Sequence, residues 1–186
     1  MEALNEIEQN SKVSETLVTK NERFDVTIEN QLKSHESIRL NEVAEITLAY
    51  RTKIKASQRP RVICSKQVYE VLLRFWNQDA LEYIEQFQVM LLSRGNRVLG
   101  ICTISTGGTA GTVVDPKVVF ATGLKANASS IILSHNHPSG NLQPSEQDRR
   151  LTRRLVEIGR ALDLPIVDHI ILGSEGYFSF ADEGEL

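Results

Sequence analysis

Cysteine is nearly absent from the chain. The two present, Cys64 and Cys102, lie far apart and form no C-x-x-C pair. Both sit in apolar runs, so the expectation is buried, unpaired thiols in a reducing, cytoplasmic setting. Charge of one sign is also lacking: the net charge is -3 and the pI near 5.8. Whole-chain charge therefore supplies no attraction to nucleic acid or to an anionic membrane, although a local basic patch stays open. No apolar run approaches the roughly 20 residues that a membrane-spanning helix needs, so no membrane partner is expected. The opening residues, MEALNEIEQNSKVSETLVTK, lack a basic start followed by an apolar stretch, and no secretory signal is expected there. Internal repeats and low-complexity tracts are likewise missing.

What is present is enough for one core-bearing domain: 186 residues, 41% of them hydrophobic. Residues 1–40 are polar and weakly periodic, and read as an N-terminal arm, partly disordered or helical. The domain proper is expected over residues 41–186. It opens with NEVAEITLAYRTKI, which alternates enough for a strand and is broken by QRPR at 58–61. Ser65 is placed to cap a helix with Val68, Leu72 and Phe75 or Trp76 on its apolar face. Two apolar runs flank Arg94-Gly95-Asn96, a hairpin signal. Gly107-Gly108-Thr109-Ala110-Gly111 lacks the Gly-Lys-Ser/Thr ending of a phosphate loop and reads as a connection. Asp115-Pro116 starts a helix through VVFATGLKANA. Ile131-Ile132-Leu133 reads as a buried strand, a long helix is expected over about 145–162, and IVDHIILG as another buried strand. The mixture predicts an α/β (α+β) sandwich with a central mixed sheet flanked by helices.

The stretch SHNHPSGNLQPSEQD, Ser134–Asp148, carries the chemistry. Ser145-x-x-Asp148 is a helix capping box pattern, and Pro138-Ser139-Gly140-Asn141 is ordinary turn chemistry. A metal site is the alternative reading. Leu151, Leu155, Ile158 and Leu162 form an apolar stripe, and three residues before Leu151 stands Asp148. An inward carboxylate is costly unless paired. His135 and His137, two apart in an extended segment, point to one side and supply partners. Two imidazoles and one carboxylate leave a fourth tetrahedral position for water, the arrangement of catalytic zinc. Nitrogen and oxygen ligands without thiolate suit Zn²⁺, with Fe²⁺ as the chemical rival.

His135-x-His137-Pro138, followed by Ser145-x-x-Asp148, resembles the JAMM (MPN+) metalloprotease signature. With VDHIILG and YFSFADEG downstream, the chain resembles the RadC-like bacterial branch of that family from about residue 59 to residue 186. The resemblance implies a JAMM/MPN-like, cytidine-deaminase-like fold, one Zn²⁺ per chain on His135, His137 and Asp148, and hydrolysis of an amide or isopeptide bond in a peptide substrate. It implies that Glu85, in EQFQVMLLS, is the general base and that the Ser145 hydroxyl stabilises the oxyanion. The alternation of Glu85 with Phe87, Val89 and Leu91 agrees, whereas Glu82 falls outside that row. Asn136 is read as loop structure. Full-length RadC-like proteins carry a helix-hairpin-helix DNA-binding module for which this chain has no room, so DNA binding is not expected of it.

His169, on the last predicted buried strand beside Asp168, is either a satisfied core histidine or outer support of the metal site; His35, in the polar arm, is read as exposed. Arg149, Arg150, Arg153, Arg154 and Arg160 crowd one helix, a pattern that usually means a solvated face and otherwise a nucleic-acid contact. The competing function is a non-enzymatic or DNA-repair-associated accessory factor that keeps a structural metal. Zinc deaminases are set aside because the cysteine pair they need is missing.

Overall fold

The structure, a computed structural model, describes Tyr50, residues 54–108 and residues 112–186. These fall within one compact unit, Leu48–Leu186. The arm expected over 1–40 with its His35, nearly all of the strand expected over 41–54, and residues 109–111 of the glycine-rich connection lie outside the described residues.

A five-stranded mixed sheet forms the centre, in the order β2-β1-β3-β4-β5. The strands are β1 (Gln86–Leu92), β2 (Val98–Thr106), β3 (Ser130–Asn136), β4 (Ile166–Leu172) and β5 (Tyr177–Ser179). β1 and β2 are antiparallel, joined by the turn expected around Arg94-Gly95-Asn96; Asn96 takes the left-handed conformation there. β1 also pairs antiparallel with β3, while β3 and β4 are parallel. The helices are α1 (Ser65–Phe75), the single turn α2 (Gln78–Leu81), α3 (Pro116–Lys125) and α4 (Glu146–Ala161). This is the α+β sandwich that the element order predicts.

Strand alternation builds two cores. Phe87, Val89, Leu91, Ile131 and Leu133 point to one face and are covered by Val119 and Phe120 of α3 and Leu155 and Val156 of α4. Met90, Leu92, Ile132, Ile170 and Leu172 point to the other and are covered by Val68 and Leu72 of α1, with Trp76. Each fully buried aliphatic or aromatic side chain contributes about 1.5–3 kcal/mol to this packing, so the sheet is held from both faces. β3 is central and buried along its whole length. Its end is therefore a rigid place from which to project side chains.

Several local expectations need correction. Ser65 does not cap α1: Cys64 occupies the cap position without a side-chain hydrogen bond. The Ser65 hydroxyl is recruited instead by the Asp182 carboxylate and lies 3.2 Å from the Tyr177 hydroxyl. Trp76, not Phe75, completes the buried face. Both cysteines are free, as expected, but neither is fully buried: Cys64 is exposed and Cys102 half-buried. The run Val62-Ile63-Cys64 only crosses the edge of the core, with Val62 inside and Ile63 66% exposed. On α4 the buried face runs through Thr152, Leu155, Val156 and Gly159, and Leu162 is 42% exposed at the helix end.

Gly159 shows how tightly α4 is held. A Cβ there would stand 2.7 Å from the Leu164 carbonyl oxygen and 3.3 Å from the Ile166 amide nitrogen, both backbone atoms. Gly159→Ala gains helix propensity but overpacks this contact, and we expect a net loss of about 1–3 kcal/mol, read as a lower urea midpoint with an unchanged slope.

Candidate metal centre

The centre forms where the chain leaves β3 and enters α4. His135 lies on β3, facing α4, and His137 follows the strand end. The chain then turns: the Gly140 amide donates to the His137 carbonyl oxygen at 2.9 Å, and Gly140 has φ +73°, a conformation that favours glycine. Ser145 caps α4. Its hydroxyl oxygen accepts from the Asp148 amide at 3.2 Å, and the Asp148 carboxylate accepts from the Ser145 amide at 2.7 Å. The capping box and the metal reading are thus compatible. The box fixes the Asp148 carboxylate in the first helical turn, on the face that continues through Thr152 and Leu155.

His135 Nε2, His137 Nε2 and an Asp148 carboxylate oxygen all lie within 4.8 Å of one another, and the group could hold a metal ion. The two Nε2 atoms are 2.9 Å apart. Asp148 Oδ1 is 3.4 Å from His135 Nε2, and Oδ2 is 3.7 Å from His137 Nε2. The donor chemistry fits a divalent ion. Both histidines have their Nδ1 atoms engaged elsewhere: His137 Nδ1 lies 2.6 Å from the Asn141 carbonyl oxygen and His135 Nδ1 2.8 Å from His169 Nε2. A carbonyl only accepts, so His137 carries a hydrogen on Nδ1, and Nε2 is the ring nitrogen turned inward, where a metal ion would take the place of a proton.

Electrostatics separate the three groups. Burial lowers the His135 pKa to about 4, so the ring is neutral at physiological pH. His137 is raised, chiefly by the Asp148 carboxylate beside it. Burial would raise Asp148, but its bonds with His137, the nearby His135 and the Ser145 hydroxyl and amide hold it well below the usual carboxylate range. An ionised carboxylate therefore faces two imidazoles.

Glu85 and Ser145 line the same cavity of about 300 Å³ as His135, His137 and Asp148, with Phe87, Val114 and Leu151 on its apolar side. Glu85 precedes β1, where its amide donates to the Gly108 carbonyl oxygen at 3.0 Å. Its carboxyl is raised above the ordinary value by burial, with the Asp148 charge adding to the rise; His137 and a hydrogen bond from the Thr112 amide oppose it. Glu82, the competitor, is exposed at the end of α2 and lines no part of the cavity.

The reading of Asn136 as loop structure is corrected. It ends β3 and is fully buried. Its amide donates to the carbonyl oxygens of Leu81 at 2.7 Å and Ile84 at 2.9 Å, and its side-chain oxygen accepts from the Gln86 amide at 2.7 Å. It thereby fastens the segment that carries Glu85 to the strand that carries the histidines. Strand alternation could have signalled this, since the residue between two same-side histidines faces the opposite core and must have its polar atoms satisfied. His169 is fully buried and touches His135.

A parallel β3-β4 pair with a histidine pair at the strand end and an aspartate in the next helical turn defines a class of candidate metal-binding α+β domain. Comparison with known proteins makes this specific. Residues 62–185 match the RadC-like JAB domain family, and the chain belongs to that family. A UPF0758 protein of Flavobacterium johnsoniae is 45% identical over 100 residues, which cover 54% of this chain and 44% of that protein. UPF0758 proteins of Rubrobacter xylanophilus and Clostridioides difficile are 38% and 35% identical over 146 residues, covering 77% and 74% of this chain and 62% of each relative. The matched segments thus span between 44% and 62% of the length of these relatives.

The double role of Asp148 can be separated. In Asp148→Asn the amide oxygen can still accept from the Ser145 amide, so the helix content should be unchanged. Affinity for a divalent metal should fall by more than the roughly 10–100-fold that loss of an outer partner costs. Circular dichroism and a metal titration read the two effects, and unchanged affinity would leave Asp148 as a cap alone.

Proposed function

We propose that the protein is a zinc-dependent hydrolase of the JAMM type that cleaves an amide or isopeptide bond in a peptide substrate. The observation that carries this reading is the joining of the His135, His137 and Asp148 donor set to Glu85 in one open cavity. A structural zinc site closes its fourth position with protein, whereas a catalytic one faces a space that water and substrate can enter. Two imidazoles and a carboxylate, with no thiolate, suit zinc.

When bound, zinc would supply Lewis acidity, bringing a water pKa to about 7 and polarising the scissile carbonyl. The chain's own residues supply the rest. His135 and His137 offer Nε2, with Asp148 the anionic third ligand. Glu85 accepts the water proton as the nucleophile forms and returns it to the leaving amine nitrogen as the C–N bond breaks. Its raised pKa suits both halves of that transfer. Ser145 is the oxyanion donor. In the structure its hydroxyl hydrogen is directed to Asp148 Oδ2 at 2.6 Å, so it must turn toward the substrate oxygen; such a donor typically contributes about 10²–10³ in rate. Phe87, Val114 and Leu151 give the cavity an apolar wall that limits bulk water around the proton transfer.

The arginine-rich helix is read as a solvated face. Arg149 is held by the Glu185 carboxylate at 2.7 Å and lies near Glu146, and Glu157 stands exposed among Arg150, Arg153, Arg154 and Arg160. This chain should bind duplex DNA weakly at physiological salt. Submicromolar binding that falls steeply with salt and is lost in the Arg150→Glu, Arg153→Glu double variant would contradict that.

The hydrolase reading is tested by separating base from ligand. Glu85→Gln should retain one zinc per chain by elemental analysis and lose turnover of peptide or isopeptide substrates by about 10²-fold or more. His137→Ala should lose both zinc and turnover. Zinc loss, or full activity, in Glu85→Gln would remove the assignment of Glu85 as base.

A further inference from the structure

Behind His135, on residues that do not line the cavity, lies a chain of polar contacts that the mechanism above leaves unused. Thr152 is buried on α4 and His169 on β4. The Thr152 hydroxyl donates to the Asp148 carbonyl oxygen at 2.7 Å. The Thr152 hydroxyl oxygen is also 2.7 Å from His169 Nδ1, and His169 Nε2 is 2.8 Å from His135 Nδ1. The His169 ring is stacked on Phe180 at 4.8 Å and meets the edge of Phe87 at 5.7 Å.

The protons in this chain can be assigned by counting. A carbonyl oxygen only accepts, and a hydroxyl has one proton. Thr152 spends that proton on the Asp148 carbonyl, so it offers His169 a lone pair. His169 Nδ1 must then carry a hydrogen. A cationic ring between two phenyl rings would be an uncompensated buried charge, so His169 is neutral and its Nε2 is bare. That atom can only accept, which places the hydrogen of neutral His135 on Nδ1. The lone pair of His135 Nε2 is left facing His137 and Asp148. His137 is set directly by the Asn141 carbonyl. At Nδ1, His135 faces another imidazole, which could equally donate or accept, and the hydroxyl beyond it sets the direction there. It does so against the Asp148 carboxylate 3.4 Å from Nε2, which would favour a hydrogen on that atom.

We propose that Thr152 and His169 are positioning residues, and that the Thr152 hydroxyl, acting through His169, holds His135 in the Nδ1–H tautomer with Nε2 ready for a metal ion. The proposal rests on the metal reading of the centre. Because the same hydroxyl holds the Asp148 backbone, one proton couples the orientation of two ligands from two elements. Without it, His169 can reverse its tautomer, donate from Nε2 to His135 Nδ1, and leave the proton of His135 on the nitrogen that a metal needs.

The test uses the full chain with Thr152→Val, which keeps the shape and removes the hydroxyl, and Thr152→Ser, which keeps the hydroxyl. The ring nitrogens of His135 and His169 are read by ¹⁵N NMR in metal-free protein, and zinc affinity by competition with a chromophoric chelator. Wild type and Thr152→Ser should both show His135 protonated on Nδ1. Thr152→Val should show Nε2–H or a mixture, with zinc affinity lower by about 10–100-fold and restored by serine. An Nε2–H tautomer in wild type, or an unaltered His135 tautomer and affinity in Thr152→Val, would overturn the proposal. If Thr152→Val fails to fold, the wild-type spectrum still tests the relay: it requires a hydrogen on His169 Nδ1 and none on His169 Nε2, and the reverse pattern would overturn the proposal. Wild type with His135 protonated on Nδ1 that takes up no zinc would contradict the metal reading while leaving the relay standing. Zinc binding without hydrolysis would remove only the hydrolase reading.

Discussion

An ionised carboxylate facing inward at the start of α4 is the constraint to which the domain answers. Asp148 stands against His135, which is buried and neutral, and His137, whose proton affinity it raises. A carboxylate in that position is costly unless donors surround it. The Ser145 amide and hydroxyl meet one of its oxygens and the imidazoles approach both. Two imidazole nitrogens 2.9 Å apart, beside a carboxylate, form a cluster that a divalent cation would satisfy better than a shared proton.

The fold delivers this arrangement through one chain reversal. β3 is buried on both faces and paired on both edges, so its end is fixed. α4 begins within ten residues of the strand end, and the turn at Gly140 with the capping box at Ser145 aims its first turn back at the histidines. The opposite face is fastened by Asn136, which ties the Glu85 segment to β3, and β4 brings His169 against His135. The C-terminal segment closes over the back. The buried Asp168 carboxylate accepts from the Ser179 hydroxyl and the Ala181 amide, seating Phe180 on the His169 ring.

Much of this was legible in the residues because it is local. Helix-period stripes, the Asp115-Pro116 start, the hairpin around Gly95 and the His-x-His spacing each depend on neighbours a few positions away. What escaped depends on contacts across the chain. Ser65 looked like a cap because capping is local, yet its hydroxyl is taken by Asp182, more than a hundred residues on. Cys64 looked buried because its run is apolar, but burial depends on what α1 packs against. Asn136 looked like loop because its partners, Leu81, Ile84 and Gln86, lie about fifty residues upstream. The link from Thr152 through His169 to His135 joins three elements and has no sequence pattern of its own.

The central claim is that one metal ion sits on two imidazoles and one carboxylate with a position left for water. X-ray absorption of the zinc-loaded protein tests it most directly. The account predicts a four-coordinate shell of nitrogen and oxygen alone, at about 2.0–2.2 Å, with the outer scattering of two imidazoles. A sulfur neighbour at about 2.3 Å, which would bring in Cys64 or Cys102, or a shell without paired imidazole scattering, would contradict it.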